Sequence, residues 1–207
     1  MADDHAPMWR QMISHIQERD LSNRNVLDFG CNQGGFLRML YQHLPFQYAL
    51  GVDIAEGSLA VANRYRGNLP VEYGAPALLG RHENAFDIAF SHEVIYLLPD
   101  LEEHARQIAR SLAPRGVYYA VTACYTEMPL WPRWKRSIEE STNLPVPEYA
   151  VNDYAAAFHR AGFSVAAQRF KMDGFLRIPE DKTYYPTVLD VLDHFNDQRI
   201  IFRFSRH

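Results

Sequence analysis

The sequence has little cysteine, no long apolar run and no surplus of positive charge, and each shortage narrows what the chain can be. Its two cysteines, Cys31 and Cys124, cannot build a disulfide framework, and neither has a CxxC partner or a His/Cys cluster of zinc-ligand spacing. No apolar stretch is long enough to cross a membrane. The N-terminal "MADDHAPMWRQM" begins acidic and lacks the apolar centre of a secretion signal, so a cytoplasmic protein with reduced thiols is expected. With 21 Lys and Arg against 25 Asp and Glu, the net charge is −4, which argues against the basic face of a general nucleic-acid binder. Neither a repeat nor a Gly/Ser-rich linker interrupts the 207 residues, so a single domain over 1–207 is expected.

What is present is an alternation of strand and helix patterns. Apolar residues at helical spacing predict a helix from Met8 to Arg19. "NVLDFG" is the short apolar run of a buried parallel strand, and "GGFLRMLYQHL" reads as a helix stopped by Pro45. "QYALGVDI", "VEYG", "FDIAFSHE", "GVYYAVTACY", "FSVAAQRF" and "RIIFRFSR" supply further strands. Helices are expected over "AEGSLAVANRYRGN", from about Pro99 to Leu112, over "NDYAAAFHRAG" with Asn152 or Asp153 as its N-cap, and near Thr187 to Phe195. Between about residues 125 and 149 the regularity lapses, with four prolines, two tryptophans and a short helix around Trp134 to Glu140. This order predicts an α/β fold, a doubly wound and mostly parallel sheet with helices on both faces.

In such a sheet ligands sit beyond the carboxyl ends of the strands, and the turn "DFGCNQGG" is the place to look. Glycines there let a ligand approach the backbone and expose the N–H groups of the next helix. A dinucleotide site wants G-x-G-x-x-G, but Asn32 stands where the second glycine belongs, and Asp28 would set negative charge near a pyrophosphate. An acid there suits a cation, such as the ammonium of S-adenosylmethionine. "VLDFGCNQGGFL" resembles the first motif of the class I S-adenosylmethionine-dependent methyltransferases, roughly D/E-x-G-x-G-x-G: Asp28, Gly30 and Gly34 match, and Asn32 replaces the middle glycine. Asp53 in "GVDIAEGSLAVA" falls where that family has an acid for the ribose hydroxyls, and "FDIAFSHEVIYLLPD" with "LAPRG" resembles its fourth strand and the approach to its fifth. The resemblance implies a seven-stranded sheet whose last strand is antiparallel. It also implies S-adenosylmethionine as donor, S-adenosylhomocysteine as product, and a cofactor site of Asp28, Gly30, Asn32, Gly34, Asp53, Ile54, Ala75 and Ser91. The plainer reading is that Gly34 and Gly35 only allow tight packing and that Asp53 caps a helix.

Two departures stand out. Asn32 places a Cβ near the donor, although asparagine tolerates left-handed backbone. After the third strand the family often reads "GDA"; here "GAP" puts Ala75 where the acid would be, leaving adenine to the backbone of Pro76 to Leu78. On the acceptor side, "SHEV" is not the [N/D/S]-P-P-[Y/F/W] run of nucleobase amino-methyltransferases, and "TACYTE" lacks the acids of metal-dependent catechol-type enzymes, so no metal site is expected. His92 is the candidate base, since an imidazole titrates near neutral pH; it serves equally as pocket lining. Glu93 resembles an acid of ubiquinone-pathway O-methyltransferases, but Tyr96-Leu97 replaces their Glu-His pair. His104, His159 and His194 read as surface or core. Tyr125, Trp131, Trp134 and Tyr149, with Arg133, Lys135 and Arg136, are candidate walls for an aromatic or anionic small molecule; equally, the two tryptophans anchor a covering helix and the cations face water. Trp9 and Arg10 lie on a helix that in this family often covers the methionine end of the donor. The remaining alternatives are a non-catalytic scaffold and a nicotinamide-dependent oxidoreductase.

Overall fold

The computed structural model describes residues 2–143 and 145–207, and the side chains of residues 5–143 and 145–207. One sheet of seven strands organises them, in the order β3-β2-β1-β4-β5-β7-β6. Its strands are β1 (Leu21–Phe29), β2 (Phe46–Val52), β3 (Val71–Gly74), β4 (Phe86–His92), β5 (Leu112–Thr122), β6 (Phe163–Arg169) and β7 (Ile200–Arg206). β3, β2, β1, β4 and β5 run parallel, and β7 enters antiparallel between β5 and β6. This is the doubly wound sheet with a reversed last strand that the resemblance implied.

The helices are α1 (Ala2–His15), α2 (Gly35–His43), α3 (Glu56–Arg64), α4 (Leu101–Ser111), α5 (Trp131–Thr142), α6 (Val151–Arg160) and α7 (Val188–Asp193). α7 runs into a π-helical turn, His194–Gln198, and a 3₁₀ helix over Pro76–Arg81 follows β3. Every expected element forms, with shifted ends. α1 starts six residues before Met8 and continues through Pro7. α5 is longer than the predicted Trp134 to Glu140. The N-cap of α6 is Ala150 rather than Asn152 or Asp153; Asp153 sits in the first turn, where its Oδ2 accepts from the Ala150 N–H at 2.8 Å. No helix among the described residues is long and apolar enough to cross a membrane.

Alternation along the strands makes two cores. On one face, α4 and α6 bury Leu101, Ala105, Ile108, Tyr154 and Phe158 against Tyr118, Phe202 and Phe204. The Phe158 and Phe204 rings stack at 3.7 Å, and His104 Nε2 meets Tyr118 Oη at 3.1 Å inside this layer. On the other, α1 and α2 bury Met12, Ile13, Ile16, Phe36, Leu37 and Leu40 against Val26, Ile88, Phe90 and Tyr119. The central strands are thus covered on both faces, which leaves the loops at their carboxyl ends as the place for a site.

Candidate functional site

β1 lies between β2 and β4, so the chain's crossovers diverge on either side of its carboxyl end, the position at which sheets of this kind take a ligand. Asp28 is the penultimate residue of β1, opposite Gly51 of β2 and Phe90 of β4. It is 4% exposed, and its Oδ2 has no hydrogen-bond partner among the described residues. Burial, reinforced by the nearby Asp53 charge, pushes the Asp28 carboxyl up to about 8.

The turn after β1 is tied to β2, because the N–H groups of Gly30 and Cys31 both donate to the Val52 carbonyl, at 2.8 and 3.0 Å. Asn32 then takes a left-handed φ of 47°, which aims its N–H at Asp53 Oδ2 over 2.8 Å. Asp53 Oδ1 accepts from the Ala55 N–H at 2.9 Å. The asparagine in place of glycine is therefore accommodated by its own conformational tolerance. Asp53 is locked by two backbone donors, while each of its oxygens retains a lone pair. Beside it Ile54 is 81% exposed. Ala75 is exposed and opens the 3₁₀ helix, with Leu78 N–H returning to the Ala75 carbonyl at 3.0 Å.

The glycines of the turn are crowded by the protein itself. A Cβ on Gly30 would lie 2.3 Å from Val94, one on Gly34 2.5 Å from the Tyr73 hydroxyl, and one on Gly35 2.2 Å from the Trp9 indole. Gly30 and Gly34 also have φ of +83° and +71°. The tight-packing reading therefore holds for Gly34, which meets Tyr73 of β3, and for Gly35, whose hydrogen is what lets α1 lie against α2. Trp9 reaches this glycine, whereas Arg10 is exposed.

Ser91 and His92 end β4, paired with Ala120 and Val121 of β5. Ser91 is buried; His92 is partly open, with its Nε2 buried and unpaired among the described residues. Burial, and then the charges of Arg199 and His5, hold the His92 imidazole well below its usual value, so it is neutral at physiological pH. The rings of His5 and His92 meet edge-on at 6.3 Å. Glu93 follows with a left-handed φ of 55°, and its Oε2 accepts from the Ala123 N–H at 3.2 Å.

The four aromatic candidates divide. Tyr125 and Trp131 are 5% and 3% exposed and belong to the core; the Tyr125 hydroxyl donates to the Gln198 carbonyl at 2.5 Å, and Trp131 meets Tyr96 edge-on. Tyr149 is half-buried and donates to the Leu98 carbonyl at 2.8 Å. Trp134 is half-buried among Tyr184, Tyr185 and His194, and its indole N–H donates to the Tyr184 carbonyl at 3.0 Å. So the tryptophans anchor α5. The basic residues beside them are partly engaged: Lys135 pairs with Glu139 and Glu148, and Arg133 donates to the carbonyls of Lys182 and Thr183.

Two residues that the sequence reading did not assign to a site complete this region. Arg199, immediately before β7, is 4% exposed and ion-paired to Glu93 at 3.2 Å. His194, expected on a surface or in a core, is fully buried and takes a 2.9 Å contact from the Arg199 guanidinium. The available signal was an arginine directly before the apolar Ile200–Phe202 run of a strand that proves to be an interior one. On the opposite face of that strand a 620 Å³ open cavity is lined by Tyr125, Glu127, Arg169 and Gln198.

Sheet order, glycine turn, acid-ended second strand and unpaired buried carboxyl define a doubly wound α/β protein with a ligand crevice at the carboxyl end of β1. Residues 4–168 match the methyltransferase domain family, and the chain belongs to it. A trans-aconitate 2-methyltransferase of Methylobacterium nodulans is 34% identical over 91 residues, 44% of this chain and 35% of that protein. A phthiotriol/phenolphthiotriol dimycocerosates methyltransferase of Mycobacterium ulcerans is 28% identical over 120 residues, 55% of this chain and 41% of that protein. The chain thus spans well under half the length of these curated relatives. Among solved structures, a subunit in complex with the Haloferax volcanii Trm112 methyltransferase activator superposes with a TM-score of 0.83 at 20% identity, covering 100% of this chain and 92% of that one. An S-adenosylmethionine-dependent methyltransferase from Mesorhizobium loti gives 0.73 at 18% identity, covering 98% and 99%. At these identities the superpositions speak for the fold.

Proposed function

We propose that this chain transfers a methyl group from S-adenosylmethionine to a small-molecule acceptor, without a metal. The observation that carries the reading is the buried, unpaired Asp28 carboxyl at the end of β1. A carboxyl so placed costs stability unless a partner meets it, and a cationic ammonium is the partner that suits it. The rest of the crevice fits the same donor. The open lone pairs of Asp53 accept from the two ribose hydroxyls. Exposed Ile54 covers one adenine face, and the backbone from Ala75 to Leu78 meets its edge. Gly30, Asn32, Gly34 and Ser91 shape the floor.

The bound donor supplies an activated methyl, which passes to the acceptor's nucleophilic atom as the carbon–sulfur bond breaks and sulfur keeps the electron pair. What remains for the protein is alignment, exclusion of water, and removal of a proton where the acceptor carries one. α1, docked through Trp9, covers the donor; α5 and the 125–149 segment cover the acceptor, with Trp134 and Tyr149 at its border and Tyr125 and Trp131 as support behind. Neutral His92 stands at the end of β4 as the candidate proton acceptor, a base that burial weakens and that therefore suits an acceptor whose proton is already acidic.

Calorimetric titration with S-adenosylmethionine and S-adenosylhomocysteine tests this. Binding at about micromolar Kd is expected for both, weakened about tenfold or more by Asp53→Ala, which removes two hydroxyl acceptors. No binding by the folded protein, or unchanged affinity in the variant, would refute the assignment. His92→Ala should lower turnover with little change in donor affinity.

A further inference from the structure

Arg199 stands immediately before β7, with β5 and β4 between that strand and β1. It therefore belongs to the acceptor side of the crevice rather than to the glycine turn. A guanidinium carries five N–H donors, and this one is poorly served. Its Nε lies 3.2 Å from Glu93 Oε1, but that N–H makes no aligned hydrogen bond among the described residues. Nη2 donates to His194 Nε2 at 2.9 Å, and Nη1 meets Met8 Sδ, a weak acceptor, at 2.6 Å. The Phe195 ring covers one face at 4.7 Å.

The neighbours are incomplete in the same sense. Because His194 Nε2 accepts from the arginine, the proton of the neutral ring sits on Nδ1, and that N–H is buried with no partner among the described residues. Glu93 Oε1 also lacks an aligned donor, and the residue is kept in left-handed backbone that costs a non-glycine residue energy. A purely structural ion pair would satisfy its own hydrogen bonds, since a half-satisfied buried pair is worse than an apolar contact. Here two of the three unsatisfied groups, Arg199 Nε–H and His194 Nδ1–H, are donors, the third being the Glu93 Oε1 that faces Nε at 3.2 Å, and the planar fork of an arginine matches a carboxylate.

We propose that Arg199 is the specificity-determining residue of the acceptor site. It receives a carboxylate of the acceptor on its unsatisfied N–H groups, with His194 Nδ1–H as a second donor and Glu93 as the counter-charge that holds the guanidinium in place. The inference rests on the methyl-transfer reading and names the class of acceptor for that site.

The test saturates the full chain with S-adenosylhomocysteine and titrates it calorimetrically with trans-aconitate and benzoate, as aliphatic and aromatic carboxylates, and with their uncharged methyl esters. At least one acid should bind while its ester does not. Arg199→Met should weaken that acid about tenfold or more and leave S-adenosylhomocysteine affinity unchanged. Glu93→Gln, which keeps a side-chain oxygen to hold the guanidinium in place but removes the negative charge beside the incoming carboxylate, should tighten it, and this variant carries the test if Arg199→Met does not fold. Equal binding of acid and ester, or unchanged acid binding in both variants, would overturn the proposal. So would loss of S-adenosylhomocysteine affinity in Arg199→Met, which would give the arginine to the donor's own carboxylate. S-adenosylhomocysteine binding with no carboxylate binding refutes the acceptor class alone. Failure of the wild-type chain to bind S-adenosylhomocysteine refutes the methyl-transfer reading beneath it.

Discussion

Asp28 shows how one residue can join burial to ligand chemistry. Its carboxyl, pushed up to about 8 by burial and by Asp53, is largely protonated in the free protein at neutral pH. A cation set beside it favours the ionised form, so donor binding should release a proton. Titration of S-adenosylmethionine at pH 7 in two buffers of different ionisation enthalpy checks this: the heats should differ, and Asp28→Asn should abolish the difference. Equal heats in the wild-type protein would mean that no ionisable carboxyl meets the donor. Asn32 is the complementary case. It breaks the glycine pattern, yet its left-handed backbone gives Asp53 a hydrogen bond that the spacing alone did not foretell.

At the scale of elements, the contact between α1 and α2 turns on one hydrogen atom. Gly35 opens α2 with ordinary backbone, so alanine is acceptable to the helix itself, but its Cβ would lie 2.2 Å from the Trp9 indole. Gly35→Ala should therefore lift α1 off the sheet, at a cost of about 1–3 kcal/mol. It should be read as a lower Tm and faster hydrogen exchange over Met12 to Ile16. In the Trp9→Ala background the same substitution should cost much less, because the two residues share one contact. Additive effects would mean that Gly35 serves something other than Trp9. Helix ends moved between sequence and structure for equally local reasons: Ala150 became the N-cap of α6 because the Asp153 side chain turns back to its N–H.

For the whole molecule, buried titratable groups set a stability optimum. His92, His104 and His194 are held neutral by burial, His104 down to about 3. The unfolded chain binds protons on these rings below about pH 6.5 while the folded one does not, so their contribution is lost as pH falls from there. Asp28 has the opposite sign: its folded value is raised, so its contribution is present in acid and disappears as pH rises through about 8. Between the usual carboxylate range and pH 6.5 the three histidines outweigh it. Thermal unfolding from about pH 5 to about pH 9 should give a maximum Tm near pH 6.5, and Asp28→Asn should flatten the alkaline limb. A Tm that keeps rising to pH 8 would contradict this balance.

The sequence by itself determined the order of strands and helices and a mostly parallel sheet, because β period, helix period and Gly/Pro punctuation are local properties; the reversed last strand came only with the family resemblance. It also marked Asp28, Asn32 and Asp53, which lie at strand ends where motif spacing is set by one turn of chain. The Glu93–Arg199–His194 constellation was not legible. Its members come from the residue after β4, the residue before β7 and the π-helical turn after α7, and they meet only because β7 inserts antiparallel beside β5. Nor could the pattern tell which aromatic residues of the 125–149 segment face outward: Tyr125 and Trp131 are buried and Trp134 half-open because packing against Tyr96 and Tyr184 decides it. Local sequence dictates elements and turns; which distant charges share a low-dielectric space is decided by the tertiary fold.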